Sequence, residues 1–299
     1  MNSPYLTLAP ETLWDTLIQQ TDAAIKSGAL HTINTEQRSI DSEGVRFLVR
    51  SVTSLKRKSE EKQKRKSQQK KSGEEFNPFL PPEPELTLGA ISDSHLCVLN
   101  KFNVLEHHLL IITRHFEHQQ TLLTLNDFKA QWLALYGIDG LGFYNGGAEA
   151  GASQRHKHLQ LAPLPLSDNE MKLPMEALWH DSGDTSPPLP FRHKFRRLPD
   201  DLWQQPDKAA EISYEIYLEM LEELGIKAVM VDGEPRQSAA YNLLMRRDWM
   251  LMVPRSQERF ETISINALGF AGSLFVRDEK ELNRVEEIGP MHILNQVSK

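Results

Sequence analysis

The chain has 299 residues, of which 39% are hydrophobic, and a formal net charge of −7 at pH 7. No apolar run approaches the about 20 residues of a membrane helix, and the N-terminus lacks the basic and apolar regions of a signal peptide, so we expect a cytoplasmic protein without a membrane partner. The acidic charge gives no general attraction to nucleic acid, and the single cysteine, Cys97, excludes an internal disulfide and a cysteine-rich zinc site.

The N-terminal part is predicted to contain one helix and one strand. Apolar side chains at three- and four-residue spacings predict an amphipathic helix over 10–27. The alternation over 45–52 predicts a strand, and the proline-rich stretch 77–84 predicts an extended connector.

A charged insertion, 56–75, separates this strand from the connector. From Lys56 to Lys71 it carries nine Lys or Arg and only two Glu, a local charge of about +7, without any aromatic or β-branched residue. Such a block cannot bury apolar surface, which favours a solvated, mobile segment. The alternative is an electrostatic attraction for polyphosphate or RNA.

The central part predicts a short meander and a helix. Two apolar runs, 95–99 and 108–113, are typical of antiparallel strands joined by a turn at 100–104. A helix is expected over 124–136 with Thr124 as its N-cap, followed by a strand at 140–144.

The C-terminal part continues with alternating element types, in this order: a linker or surface loop at 167–190, a helix at 209–224, paired strands at 240–245 and 249–255, a glycine-punctuated packing segment at 266–276, and two helical segments within 281–297. Short strands mixed with a few helices predict a largely antiparallel α+β fold.

The most informative segment is 145–161. Eight of the nine residues in 146–154 are Gly, Ala, Ser or Glu, so few side chains would block a ligand from the backbone amides. The alternation that follows places His156, His158 and Gln160 on one face of a strand.

Three interpretations of this face compete. The first is a solvent-exposed polar face with no function. The second is a metal site, which would need further ligands such as Asp168 and His193. The third is covalent nucleotidyl transfer, in which a neutral imidazole attacks phosphorus and the loop amides hold the phosphate oxygens. The small-residue loop favours the third.

At the level of whole motifs, the sequence resembles the ATP adenylyltransferases, also called diadenosine tetraphosphate (Ap4A) phosphorylases, of the histidine-triad superfamily. The matching blocks are spread over the chain: 77–79, 99–102, 107–113, 116–119, 145–160, 189–193, 241–244, 253–256, 266–272 and 289–290. The resemblance implies a histidine-triad-like antiparallel sheet with flanking helices, an N-terminal catalytic region over 1–170 and a C-terminal region over 187–299 packed on the same core.

The resemblance also implies a role for individual residues. His158 would be the nucleophile that becomes adenylylated and His156 its supporting histidine, while Gln160 takes the place of a third histidine found in the hydrolase branch. The expected substrate- and phosphate-binding residues are Lys56 (with Lys58 as the alternative register), Asn100, Asn145, Gly147, Ser153 and Gln154. Arg155 departs from the proline of the family pattern, on the opposite face of the strand.

The implied reaction is reversible phosphorolysis of Ap4A to ADP and ATP. Its partners are small molecules, namely Ap4A, ATP, ADP and phosphate, and we expect a monomer that requires no resident cofactor, with a divalent cation such as Mg²⁺ arriving on the nucleotide. The alternatives are a uridylyltransferase acting on hexose 1-phosphates and a nucleotide-binding protein without catalysis.

Other polar residues are interpreted from their positions alone. Asn100 and Asn242 border apolar runs and suit either contact with ribose or adenine or a strand-end turn. The remaining predictions fall into two groups: structural or surface roles for Lys101, Arg255, His107, His108, His115 and His118, and a modest site candidate in His193.

Overall fold

A computed structural model describes residues 5–52, 76–166, 171–180 and 186–299. Lys56, Lys58 and Asp168 therefore lie outside the described residues, as does the charged insertion. The described part contains five α-helices: α1 (Leu13–Ser27), α2 (Leu125–Gly137), α3 (Pro206–Glu223), α4 (Glu279–Ile288) and α5 (Pro290–Val297).

The strands are short and numerous. In chain order they are β1 (His31–Thr32), β2 (Thr35–Ser42), β3 (Val45–Val52), β4 (Thr87–Ala90), β5 (His95–Leu99), β6 (Phe102–Asn103), β7 (Leu109–Thr113), β8 (Gly140–Gly146), β9 (His158–Pro163), β10 (Lys194–Arg197), β11 (Ala228–Val231), β12 (Glu234–Gln237), β13 (Tyr241–Met245), β14 (Trp249–Pro254), β15 (Arg259–Phe260), β16 (Ile263–Ser264) and β17 (Ser273–Val276).

An eight-stranded antiparallel sheet forms the centre, in the order β10-β14-β13-β8-β9-β7-β5-β4. It combines strands from both predicted regions of the chain, since β13 pairs with β8. A three-stranded sheet, β17-β3-β2, joins β17 from the C-terminal part to the early β2–β3 hairpin. The fold is therefore α+β and largely antiparallel, as the sequence predicts.

Both faces of the large sheet are covered. Alternate side chains of β14 enter different hydrophobic clusters: Met250 and Met252 join the cluster under α1, α2 and α3, and Leu251 and Val253 join the one under β3, β17, α4 and α5. Because successive side chains point to opposite faces, a strand covered on both sides reads as a continuous apolar run.

Several predicted elements differ in detail. The helix near the N-terminus buries Leu13 and Leu17 as expected, but Trp14 and Ile25 are exposed. The stretch 77–84 is not simply extended, because it turns back so that Phe79 bridges Pro82. Hairpin β11–β12 has no counterpart among the predicted elements.

The expected linker at 167–190 is wrong where the structure describes it. A 3-10 helix covers Pro174–Leu178, and the side chain of Trp179 is 1% exposed against Phe195 and Trp249. The polar residues that surround Trp179 in the sequence favoured a loop, so the burial of its side chain was not predicted. In contrast, the predicted N-cap is confirmed: Thr124 and Asp127 form a capping box at the start of α2.

None of the helices in these ranges combines the length and the apolar character that spanning a membrane requires.

Candidate active site

A cleft of about 780 Å³ opens on the face of the large sheet that also packs against the three-stranded sheet. Six of the residues predicted to be catalytic or to bind substrate line it: Asn100, Asn145, Ser153, Gln154, His158 and Gln160. His156 and Gly147 lie beside the cleft without lining it, and His193 lies elsewhere, bonded to Phe191 O and Ser186.

The His158 imidazole has a defined tautomer. Its Nδ1 lies 2.8 Å from the backbone oxygen of His156, and because a carbonyl oxygen only accepts, Nδ1 must carry the proton. The lone pair of the ring is therefore on Nε2. Burial lowers the pKa of His158 to about 4, so the ring is neutral at pH 7.

His156 is held in the complementary tautomer. Its Nε2 donates to the backbone oxygen of Thr113 at 2.8 Å, so Nδ1 accepts from the side-chain amide of Asn77 at 2.9 Å. Burial lowers the pKa of this ring too, so it is neutral. With both ring nitrogens occupied, the contribution of His156 to the cleft is its backbone oxygen.

The sequence interpretation missed the aromatic support of the two histidines. Phe79 packs against both rings, with centroid separations of 5.6 Å to His156 and 5.5 Å to His158. The oxygen of the Asn77 side chain accepts the Phe79 N–H at 3.0 Å, so one asparagine fixes both the phenyl ring and the His156 tautomer. The proline-rich context of these residues suggested only a connector.

The small-residue loop uses part of its own hydrogen-bonding capacity. The amides of Gly147, Ala150, Gly151 and Ala152 donate to carbonyl oxygens within the turn, which includes the 3-10 helix Ala148–Ala150. Gly147 has φ 103°, a conformation that side chains rarely adopt. Phosphate oxygens therefore have fewer loop amides available than the sequence suggested, and Gly147 shapes the loop.

The Gln119 side chain forms hydrogen bonds to both β8 and β9. Regular pairing of β8 and β9 ends at Phe143 and Gln160. Beyond that point the Gln119 side chain replaces the missing ladder: its oxygen accepts from the backbone N–H of His158 at 2.9 Å, and its nitrogen donates to the backbone oxygen of Asn145 at 2.9 Å. No periodic pattern marks Gln119, because its role depends on β8 and β9 diverging.

Gln119→Met should lower turnover about tenfold with little change in KM, because the loss of one or two hydrogen bonds loosens the position of His158. Gln131→Met is the matched control, since Gln131 is also buried but neither of its polar side-chain atoms has a hydrogen-bond partner among the described residues. Steady-state kinetics on both variants test this. Equal effects of the two substitutions would contradict a positioning role for Gln119.

Part of the cleft lining is apolar. Phe102, Leu105 and Val98 line the cleft together with His108, whose Nδ1 lies 3.1 Å from the Asn100 amide. His108 directly precedes β7, at the strand edge, and also lines the cleft. Asn100 also closes the strand-end turn through its N–H to the His108 oxygen, which is one of its two interpretations.

Charged side chains also line the cleft. Arg259 pairs with Glu258 and Arg277 with Glu281, and all four line the cleft. Lys101 also lines the cleft and pairs with Glu83 at 2.8 Å. Within the described ranges, no group of three or more His, Cys, Asp or Glu side chains is arranged to hold a metal ion.

A neutral imidazole with a fixed tautomer, in a cleft lined by both apolar and charged side chains, is suited to covalent attack on a substrate. Two family models match the chain: an Ap4A phosphorylase N-terminal domain over residues 3–181 and an ATP adenylyltransferase C-terminal domain over residues 187–299. These matches make the chain a nucleotidyltransferase. It belongs to the Ap4A phosphorylase family.

Individual relatives agree. Diadenosine 5',5'''-P1,P4-tetraphosphate phosphorylase 2 of Saccharomyces cerevisiae is 26% identical over 239 residues, which cover 71% of this chain and 72% of the relative. Protein APA1 of the same yeast is 25% identical over 232 residues, with the same coverage. The crystal structure of yeast Ap4A phosphorylase Apa2 in complex with Ap4A is 22% identical and superimposes with a TM-score of 0.76 over 97% of this chain and 98% of that one.

Proposed function

We propose that this enzyme transfers AMP from Ap4A to inorganic phosphate through a covalent intermediate on His158, giving ATP and ADP. The observation that carries the proposal is the His158 ring itself: it is neutral, its Nδ1 proton is held by the His156 oxygen, and its Nε2 has no hydrogen-bond partner among the residues that the structure describes. The choice of Ap4A as the substrate rests on the relatives that are named as Ap4A phosphorylases.

The first half-reaction forms the adenylyl-enzyme. Nε2 of His158 attacks the phosphorus of one AMP unit, a nitrogen–phosphorus bond forms, and the bond from that phosphorus to the bridging oxygen breaks, so that ATP leaves. The ring then carries positive charge, which the Nδ1–H bond to the His156 oxygen stabilises. ATP is a good leaving group, so the step does not depend on a strong general acid.

The second half-reaction discharges the intermediate. An oxygen of inorganic phosphate attacks the same phosphorus, the nitrogen–phosphorus bond breaks, and ADP leaves with His158 neutral again. Gln160, Ser153 and the Asn145 amide lie in the cleft around this point and suit hydrogen bonds to the phosphoryl oxygens. Gln160 donates without changing protonation, which favours transfer over activation of water.

Three further parts of the proposal concern a lysine outside the described residues, a metal ion, and the state and location of the protein. Lys56 contributes a cation for the polyphosphate chain. A divalent cation such as Mg²⁺ enters with the nucleotide, because such ions bind substrate phosphates and keep several waters. The protein acts as a monomer in the cytoplasm on small-molecule nucleotides.

Incubation with Ap4A labelled in the adenosine units tests the proposal. With phosphate present we expect ADP and ATP in equal amounts. Without phosphate we expect at most one AMP per enzyme, attached in an acid-labile, base-stable bond at His158. Continuous release of free AMP in plain buffer would overturn phosphorolysis in favour of hydrolysis, and an adduct elsewhere would overturn the role of His158.

The pH profile of the first half-reaction should lack a limb near the ordinary histidine pKa of about 6.5. Because burial lowers the pKa of His158 to about 4, the attacking lone pair remains available until the pH falls toward that value. Single-turnover rates between pH 5 and 8 should therefore change little, with circular dichroism checking that the fold persists. A tenfold loss between pH 7 and about pH 5.5 would contradict the assignment.

A further inference from the structure

Asn145 has its side-chain orientation determined by its neighbours. Its side-chain oxygen accepts two hydrogen bonds, one from the side-chain amide of Asn242 at 2.8 Å and one from the backbone N–H of Ala267 at 2.9 Å. The residue is 3% exposed and lines the cleft. With both acceptor positions of the oxygen used, the cleft is left with the nitrogen of Asn145, which only donates.

Asn242 is fixed in turn, and it does not touch the cleft. It is fully buried, its nitrogen donates to the Asn145 oxygen and to the Ala150 oxygen, and its oxygen accepts from Arg255 Nη1 at 2.6 Å. Rotating this amide by 180° would bring its nitrogen against a guanidinium and its oxygen against two oxygens. The Asn242 side chain therefore has one allowed orientation.

Arg255 supplies the charge at the start of this chain. It is 1% exposed, and its other acceptors are the backbone oxygens of Ile265, Val297, Gln257 and Glu258. Among the described residues, no carboxylate lies within ion-pair distance of it. Burial lowers its pKa to about 10, so it remains cationic at neutral pH.

From this geometry we infer that Arg255 and Asn242 are positioning residues that hold the Asn145 amide as a hydrogen-bond donor to the nucleotide phosphate. The donors all point the same way, from the guanidinium through Asn242 to Asn145 and into the cleft. Each bond in such a chain polarises the next, which strengthens the last donor toward an anion. The inference deepens the proposed function and rests on it for the identity of the anion.

The Arg255 guanidinium also connects the C-terminal part of the chain to Asn145. The Val297 oxygen lies at the end of α5, and the Ile265 oxygen precedes the segment whose Ala267 N–H bonds Asn145. One guanidinium therefore fixes both of the donors that occupy the Asn145 oxygen.

Binding of AMP and adenosine to the purified full-length protein tests the inference without depending on turnover. Asn242→Asp keeps an acceptor for Arg255 but replaces the donor to Asn145 with an oxygen, which should turn the Asn145 amide so that its oxygen faces the phosphate. We expect the Kd for AMP to rise about 10- to 100-fold, while the Kd for adenosine changes less than about twofold.

Arg255→Lys and Arg247→Lys form a matched pair of variants. Arg247 also donates to backbone oxygens, those of Leu135 and Tyr136, but it stacks on Trp203 and does not line the cleft. Arg255→Lys should weaken AMP binding selectively, and Arg247→Lys should leave both Kd values unchanged, with thermal unfolding measured for every variant.

Three results would overturn the inference: wild-type protein that binds AMP no tighter than adenosine, Asn242→Asp protein that retains the wild-type preference for AMP, or an equal loss for the two ligands. Selective loss of AMP binding in the Asn242→Asp and Arg255→Lys variants, together with no phosphorolysis of Ap4A by the wild type, would instead reject the proposed function and support the positioning role of Arg255 and Asn242.

Discussion

His158→Gly protein should lose phosphorolysis by about 10⁴- to 10⁶-fold, the range seen when a covalent nucleophile is removed from an enzyme. His156, the neighbouring histidine in the described part of the chain, is no substitute, because both of its ring nitrogens are engaged with Thr113 and Asn77. The remaining groups would still bind the nucleotide, so KM should change far less than kcat. Steady-state rates and trapping of the labelled adduct measure both effects.

Two controls separate chemistry from folding in this experiment. Added imidazole should enter the space left by the missing side chain and restore part of the activity, because it supplies the same neutral nucleophile. His193→Gln removes another partly buried histidine that lies outside the cleft and should leave the rate unchanged. A His158→Gly variant that keeps its adduct and its rate would reject the covalent mechanism on this residue.

Lys157→Met should lower the free energy of unfolding by about 3–5 kcal/mol, the usual cost of breaking a buried ion pair from one side. The Lys157 side chain has no exposed surface, and its Nζ lies 2.9 Å from Asp127 and 3.0 Å from Glu117. Asp127 is itself 1% exposed and also bonds His95 at 3.0 Å. Urea unfolding measures the loss.

The state of Asp127 explains why the loss is large. Burial alone would raise its pKa, but the hydrogen bond from His95 and the charge of Lys157 outweigh burial and hold the pKa well below its usual range. A depressed folded pKa adds stability above the unfolded pKa of about 3.9, and this stability is lost as the pH falls below that value. Without Lys157 the carboxylate would lose its cation in a dry interior.

A matched surface pair provides the control for this prediction. Lys172 pairs with Asp139, but its side chain is 51% exposed, so Lys172→Met should cost less than about 1 kcal/mol. The double variant Lys157→Met/Asp127→Asn should recover part of the stability because it removes the stranded charge. If Lys157→Met and Lys172→Met prove equally stable, the buried network contributes no more than a surface pair.

Much of the fold was readable because the local signals were strong. The helix over 124–136 has a capping box at its start, and the runs 95–99 and 108–113 are continuous apolar segments. Hairpin β11–β12 was missed because its apolar residues are exposed, with Met230 at 70%, so no buried face marks it. Trp179 was missed because the polar residues around it resemble a loop.

In the candidate site, too, local patterns were predictable and contacts between distant segments were not. The two-residue period of a strand predicted that His158 and Gln160 share a face, and both line the cleft. The same two-residue period places Lys157 on the opposite face and predicts no partner for it. Its burial in an ion pair with Asp127 of α2 is a contact between segments that no local pattern encodes.

The sequence by itself determined the local pattern of the candidate site: which histidines alternate, where the small-residue loop precedes them, and which motifs match the family. Only the tertiary structure decided which nitrogen of each ring is free, which loop amides remain available, and how Gln119 and Arg255 support the site. The physical reason is that a strand's period is set by its own backbone, whereas a tautomer, an amide orientation and a pKa are set by partners distant in sequence.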